Sequence, residues 1–122
     1  MQTATHNLVV VVTKGIDSEL SSVAFAIANA GLTAGLKVSV FLTSTAIDLV
    51  RRSGQRLTQV APLNSLGSMI EDFLKRGGTI WACPPCVASR GYQQSDLLEG
   101  VVIVGASAMF PEIKQGAATL SF

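Results

Sequence analysis

Charge is scarce in this chain. Asp, Glu, Lys and Arg make up 14% of the 122 residues, and the net charge is +1. No basic patch is available to neutralise phosphates, and 6% aromatic content offers few stacking platforms, so nucleic acid is disfavoured as a partner. The hydrophobic fraction of 48% is the reverse of a disordered composition. Long apolar runs are also missing. Runs such as Leu8–Val12 are far short of the ~20 residues that span a bilayer, so no membrane partner is expected. The polar stretch Met1–Asn7 carries no basic segment ahead of that run and does not read as a secretory signal, so the expected location is the cytoplasm. Two cysteines in a reducing compartment do not make a permanent staple. Zinc needs four ligands, and two thiols plus the lone His6 cannot close a site within one subunit, so no metal is expected. The glycine patterns of dinucleotide and P-loop sites are absent, and a fold alone does not license FMN, so no cofactor is expected.

What is present is alternation. Leu8–Thr13 is a continuous β-branched run suited to a strand buried on both faces. Ser18–Ala34 has helical spacing, with Ser18 as cap and with Gly31 and Gly35 where the helix should weaken and end. Lys37–Leu42 reads as a second strand, Ala46–Arg52 as a short helix, Gln55–Asn64 as a loop and Ser65–Arg76 as an amphipathic helix. Thr79–Ala82, Val101–Val104 and Thr119–Phe122 are further strands. Short helical pieces fall at Val87–Tyr92 and Ser95–Leu98, and a helix at Ala106–Gln115. The pattern predicts one domain over residues 1–122: an α/β three-layer sandwich with a five-stranded, mostly parallel sheet in the flavodoxin-like order 2-1-3-4-5. Ligands in such sheets bind beyond the carboxyl ends of the strands, at the switch point. With that order the loops meeting there are Lys14–Asp17 and Cys83–Cys86.

Cys83-Pro-Pro-Cys86 directly follows the third strand. Proline suits the first helical turn, so Cys83 is placed at the N-cap, Pro84 and Pro85 in the first turn, and Cys86 third. A Cys83 thiolate could then accept the free N–H groups of Cys86 and Val87 at the positive helix end, with Lys14 and Arg90 as nearby cations. These features predict a lowered pKa for Cys83. A thioredoxin-like placement does not fit, because the pair follows two βα units and no later strand opens with a suitable proline. The bland alternative is that both cysteines are buried and inert.

Cys83-Pro-Pro-Cys86-Val-Ala-Ser-Arg90-Gly91 follows a C-x-x-C-x-x-x-R-G pattern, and Gly100–Ala106 and Thr119–Phe122 fit the same scheme. The chain resembles the DsrE/DsrF-like family, which includes sulfur-relay subunits of the TusD and YchN type. The resemblance implies the five-stranded sheet and a homo- or hetero-oligomer, commonly a trimer or hexamer. It also implies a persulfide-carrying cysteine that, aligned through Arg90-Gly91, falls on Cys83. Relay members of the TusD type lack a second cysteine at the position of Cys86.

Three readings of function follow. The first is a sulfurtransferase-like persulfide carrier with Cys83 as the sulfur-bearing thiolate, Cys86 as resolving thiol, and Arg90 and Lys14 stabilising the anion. It would have donor and acceptor proteins as partners. The second is dithiol–disulfide redox chemistry by the same pair. The third is a non-catalytic ligand-binding or assembly module. Trp81, two positions before Cys83, is expected on the same face and could wall its pocket, though core packing also accounts for it. Met109 could cover the pocket from the loop after strand four, or serve as core or subunit contact.

Overall fold

The computed structural model describes residues 6–53 and 61–122. The element order is β1 (Asn7–Val12), α1 (Glu19–Thr33), β2 (Lys37–Leu42), a 3₁₀ stretch Ser44–Val50, α2 (Leu66–Lys75), β3 (Thr79–Ala82) and α3 (Pro84–Ser89). There follow a 3₁₀ turn Gln94–Asp96, β4 (Val102–Ile103), a 3₁₀ turn Ala106–Ala108, α4 (Phe110–Lys114) and β5 (Ala118–Ser121). The expected loop Gln55–Asn64 lies, as far as residue 60, outside the described residues.

All four strand pairings are parallel, and helices lie on both faces, as the alternation predicts. The order along the sheet is β4-β3-β2-β1-β5. The expected 2-1-3-4-5 and the observed order are both doubly wound, with one reversal beside β1. They differ in that β2 stands between β1 and β3, and the reversal comes with β5. The reason lies in the helices. The apolar stripe of α2 (Leu66, Met69, Ile70, Phe73) is buried beside α1, so both helices share one face of the sheet. Phe25 of α1 meets Phe73 of α2 edge to face, at 5.8 Å between centroids and 81°. An order placing β1 between β2 and β3 would put these two helices on opposite faces.

The register sets what each face carries. Val10, Val40 and Ile80 are in line, as are Val12, Leu42 and Ala82, and all six belong to the core under α1 and α2. Their neighbours point the other way. Val11, Phe41, Trp81 and Val102 form a second row, on the face that carries α4. Glu112 of α4 is buried there and accepts a hydrogen bond from Ser39 at 3.3 Å, with Lys37 at 3.6 Å. Cover on this side is incomplete. Val102 is 50% exposed, Phe110 52% and Ile113 37%.

Two expectations at the helix level change. Gly31 does not weaken α1, which runs through it to Thr33. A Cβ there would stand 2.9 Å from Val38 Cγ2 and 3.1 Å from Leu8 Cδ2, so the glycine is what lets α1 lie close on β1 and β2. The helix expected over Ala106–Gln115 divides at Met109. Pro111 has no N–H and is accommodated in the first turn of a new helix, α4, not inside a longer one.

Candidate functional site

The carboxyl ends of β2 and β3 open side by side. The Cys83 N–H donates to the Leu42 carbonyl at 3.0 Å, which continues the ladder one step beyond the strands. Cys83 then caps α3, with prolines in the first turn as the sequence suggests. Its side chain caps no backbone N–H, however. The helix places the second cysteine against the turn that follows β2. Ser44 N–H donates to Cys86 Sγ at 3.2 Å, and Thr43 Oγ1 lies 3.5 Å from the same sulfur.

Among the described residues Ser44 is the one non-glycine with positive φ, at 56°. Side chains disfavour this left-handed conformation. The turn nevertheless adopts it, and the amide so held is the one directed at the sulfur. Both thiols are free and half-buried, while Ser44 is exposed, so the cradle is open to solvent.

These contacts hold the Cys86 thiol below its ordinary pKa of 9.0. The Thr43 hydroxyl contributes most. Partial burial opposes it, and the Ser44 amide, a hydrogen bond from the Cys83 thiol and the Arg90 charge add to it. The features expected to gather around the Cys83 sulfur therefore gather around Cys86. Arg90 is tied to the same residue: its Nη1 donates to the Cys86 carbonyl at 3.1 Å and to Ser89 Oγ at 3.4 Å.

A second contact joins α3 to the 3₁₀ stretch after β2. Tyr92 Oη donates to Asp48 Oδ1 at 2.6 Å, and the Arg51 guanidinium lies 5.0 Å from the centre of the Tyr92 ring. The Asp48 carboxylate raises the phenol above its ordinary pKa of 10.0, with burial a lesser cause. Tyr92 thus fixes the segment that follows Cys86 to the segment that follows Ser44.

The structure brings Cys83, Cys86 and Arg90 together. Lys14 lies in the exposed loop after β1, with β2 between its strand and β3. That loop is bolted to α1 by Ser21 Oγ, which donates to the carbonyls of Lys14 and Gly15 at 2.9 and 2.7 Å. Trp81 lies in the Phe41–Val102 row, on the α4 face, whereas Cys83 packs against the core on the α1 face. Met109 is half-buried at the start of α4. Thr43 and Ser44 did not figure in the sequence reading. Their signal is the strand order, because the loop adjacent to Cys83 is the one after β2.

A cleft of about 310 Å³ borders this turn, lined by Gly15, Ile16, Asp17, Ser18, Thr45 and Asp48. A larger groove, about 480 Å³, runs between α1 and α2 past Asn29, Ser68, Met69 and Asp72, with no thiol in its described lining. Chemistry rather than size marks the site here. Among the described residues no group of three or more His, Cys, Asp or Glu could hold a metal ion, and no helix is long and apolar enough to cross a membrane.

No curated protein matches the chain. Solved structures do. The ychN protein from E. coli is similar with a TM-score of 0.75 at 20% identity, over 98% of this chain and 100% of that one. MTH1491 from Methanobacterium thermoautotrophicum, a protein of unknown function, gives 0.74 at 19%, over 96% and 99%. BT1422 from Bacteroides thetaiotaomicron, also of unknown function, gives 0.64 at 20%, over 96% and 95%. At these identities the likeness concerns the fold. The sequence profile of the DsrE/DsrF-like family matches residues 6–122, and the chain belongs to that family.

Proposed function

We propose that this protein carries sulfane sulfur as a persulfide on the Cys83–Cys86 pair. The observation that carries this reading is the Thr43–Ser44 turn, whose O–H and N–H groups meet the sulfur of Cys86 beside the thiol of Cys83. A thiolate is the form that attacks sulfane sulfur, and a hydrogen-bonded, solvent-accessible one is suited to accept it. Membership of a family associated with sulfur relay supports the same chemistry. The family resemblance assigns the carried sulfur to Cys83. Because the two cysteines stand three positions apart at the start of α3, sulfur taken by one can pass to the other. Attack of one thiolate on the outer sulfur of its neighbour's persulfide moves that sulfur across. Attack on the inner sulfur forms the Cys83–Cys86 disulfide and releases hydrosulfide, the two thiols supplying the electrons. Arg90, fixed to the Cys86 backbone, offsets the negative charge; Lys14 and Met109 are candidate contacts for the sulfur donor.

The test is cyanolysis after loading. Protein exposed to a persulfide donor and then desalted should yield thiocyanate on cyanide treatment, and the double variant C83S/C86S should yield none. Equal thiocyanate from both proteins excludes the pair as carrier. Dithiol–disulfide exchange is the second reading, favoured by the Cys83-Pro-Pro-Cys86 spacing at the start of α3. It predicts a reversible loss of two hydrogens with no gain of sulfur.

The same reading includes self-association as a trimer or hexamer. The incompletely covered row at Trp81 and Val102, beside Phe110 and Ile113, supports it. Sedimentation of wild type and Phe110→Glu tests it: a monomeric wild type excludes it.

A further inference from the structure

We propose that Thr43 and the left-handed Ser44 turn make Cys86, and not Cys83, the sulfur of the pair that attacks the donor. This rests on the persulfide reading and specifies which atom acts first and what holds it.

Cys83 and Cys86 are both half-buried, so access does not separate them. Their hydrogen bonds do. The Cys83 side chain receives no N–H at the start of α3, where two prolines have removed the nearest donors. Cys86 Sγ receives the Ser44 amide at 3.2 Å and has the Thr43 hydroxyl at 3.5 Å. The Ser44 amide is oriented by a φ of 56°, a conformation disfavoured for a residue with a side chain. Strain of this kind persists where surrounding structure imposes it. Here the imposing contacts are the Thr45 hydroxyl on the Thr13 carbonyl at 3.2 Å, the Thr43 amide on the Val12 carbonyl at 3.1 Å, and the Tyr92–Asp48 bond at 2.6 Å. Thr43 and Ser44 are positioning residues, since they act through Cys86.

The step balances without a further reactant. The Cys86 thiolate attacks the terminal sulfur of a donor persulfide, R–S–SH. A new S–S bond forms on Cys86, the donor's S–S bond breaks, and R–S⁻ leaves with the electron pair. The proton stays on the transferred sulfur. Cys83 then serves as the second thiol, by either attack described above.

The experiment separates this assignment from the function on which it rests. In a Cys83→Ser background, the rate of Cys86 alkylation by iodoacetamide is followed against pH, alone and with Thr43→Val or Thr43→Ser. Loss of one hydroxyl bond to a thiolate should slow alkylation at neutral pH about three- to tenfold and move the midpoint up. Thr43→Ser should restore both, and a purely structural role for Thr43 would not move the midpoint. An unchanged midpoint in Thr43→Val overturns the proposal. Sulfur loading of the single variants gives the second arm. Cys83→Ser should accept one sulfur from an inorganic polysulfide, and Cys86→Ser should accept it at least about tenfold more slowly. Loading of Cys86→Ser at the wild-type rate overturns the assignment while leaving the persulfide reading intact. A lowered Cys86 midpoint with no loading of any protein overturns the persulfide reading, and with it the role of Cys86 as attacking sulfur.

Discussion

The amide of Ser44 donates to the sulfur of Cys86 across 42 positions of sequence, at 3.2 Å, from a backbone conformation that serine disfavours. The left-handed region costs a residue with a side chain about 1–2 kcal/mol, and glycine far less. Ser44→Gly should therefore be neutral or stabilising by up to about 1 kcal/mol, and should leave the Cys86 alkylation profile in place because the N–H is kept. Ser44→Val should destabilise further, because a β-branched side chain tolerates positive φ less well than serine does. Urea unfolding measures both. A valine variant as stable as wild type would contradict the strain argument.

The pH dependence of Cys86 follows from its depressed pKa. Between the native pKa and 9.0 the unfolded chain holds the thiol proton that the folded chain has released. This group's contribution to stability is therefore full above 9.0 and is lost as pH falls through the native value. Arg90→Met should raise the Cys86 midpoint, since the guanidinium lowers it. Lys14→Met should shift it less, because β2 lies between the strand that leads to Lys14 and β3. Alkylation-rate profiles of the two variants compare them. A larger shift for Lys14→Met than for Arg90→Met would refute this arrangement.

Tyr92 behaves in the opposite sense. Its phenol is held above 10.0 by the Asp48 carboxylate, so the stability it contributes is full below 10.0 and is lost as pH rises through the native value. Tyr92→Phe should cost about 1–3 kcal/mol, as for a hydrogen bond to a charged acceptor, and should flatten the alkaline limb of stability against pH. Thermal melts from pH 8 to 11 show this. If the phenylalanine variant retains the wild-type alkaline slope, the Tyr92–Asp48 bond is not its source.

Gly78 leads into β3 and so sets the approach to Cys83. A Cβ on it would fall 2.4 Å from the Phe73 ring. Gly78→Ala should destabilise by about 1–3 kcal/mol through overpacking, and pairing it with Phe73→Leu should recover part of that loss. Chemical denaturation of the single and double variants tests the coupling. Strict additivity would mean that the ring is not what the glycine accommodates.

Much of the architecture is legible because it follows from periodicity. The run Leu8–Val12 has to be a strand buried on both faces, and Thr79–Ala82 is recovered with the bounds read from the sequence. The cysteine pair is legible too, since two prolines after Cys83 leave little but a helix start. The strand order is less legible, because both doubly wound orders use the same alternating elements. It is decided by which face α2 buries. That choice determines the neighbour of Cys83, so reading β1 as adjacent led to Lys14, where the structure has Thr43 and Ser44. The left-handed turn is the least legible feature, since serine gives no sign of positive φ. Trp81 shows the limit of counting by twos: the alternation that ties it to Cys83 ends where β3 gives way to α3.

The most direct test of sulfur carriage is the intact mass of reduced protein after brief exposure to a sulfane-sulfur donor, for wild type, Cys83→Ser, Cys86→Ser and the double variant. One added sulfur is expected on wild type at early times and on Cys83→Ser, and none on the double variant. Wild type that only loses two hydrogens, with no sulfur added to any variant and no sulfide released, would contradict it.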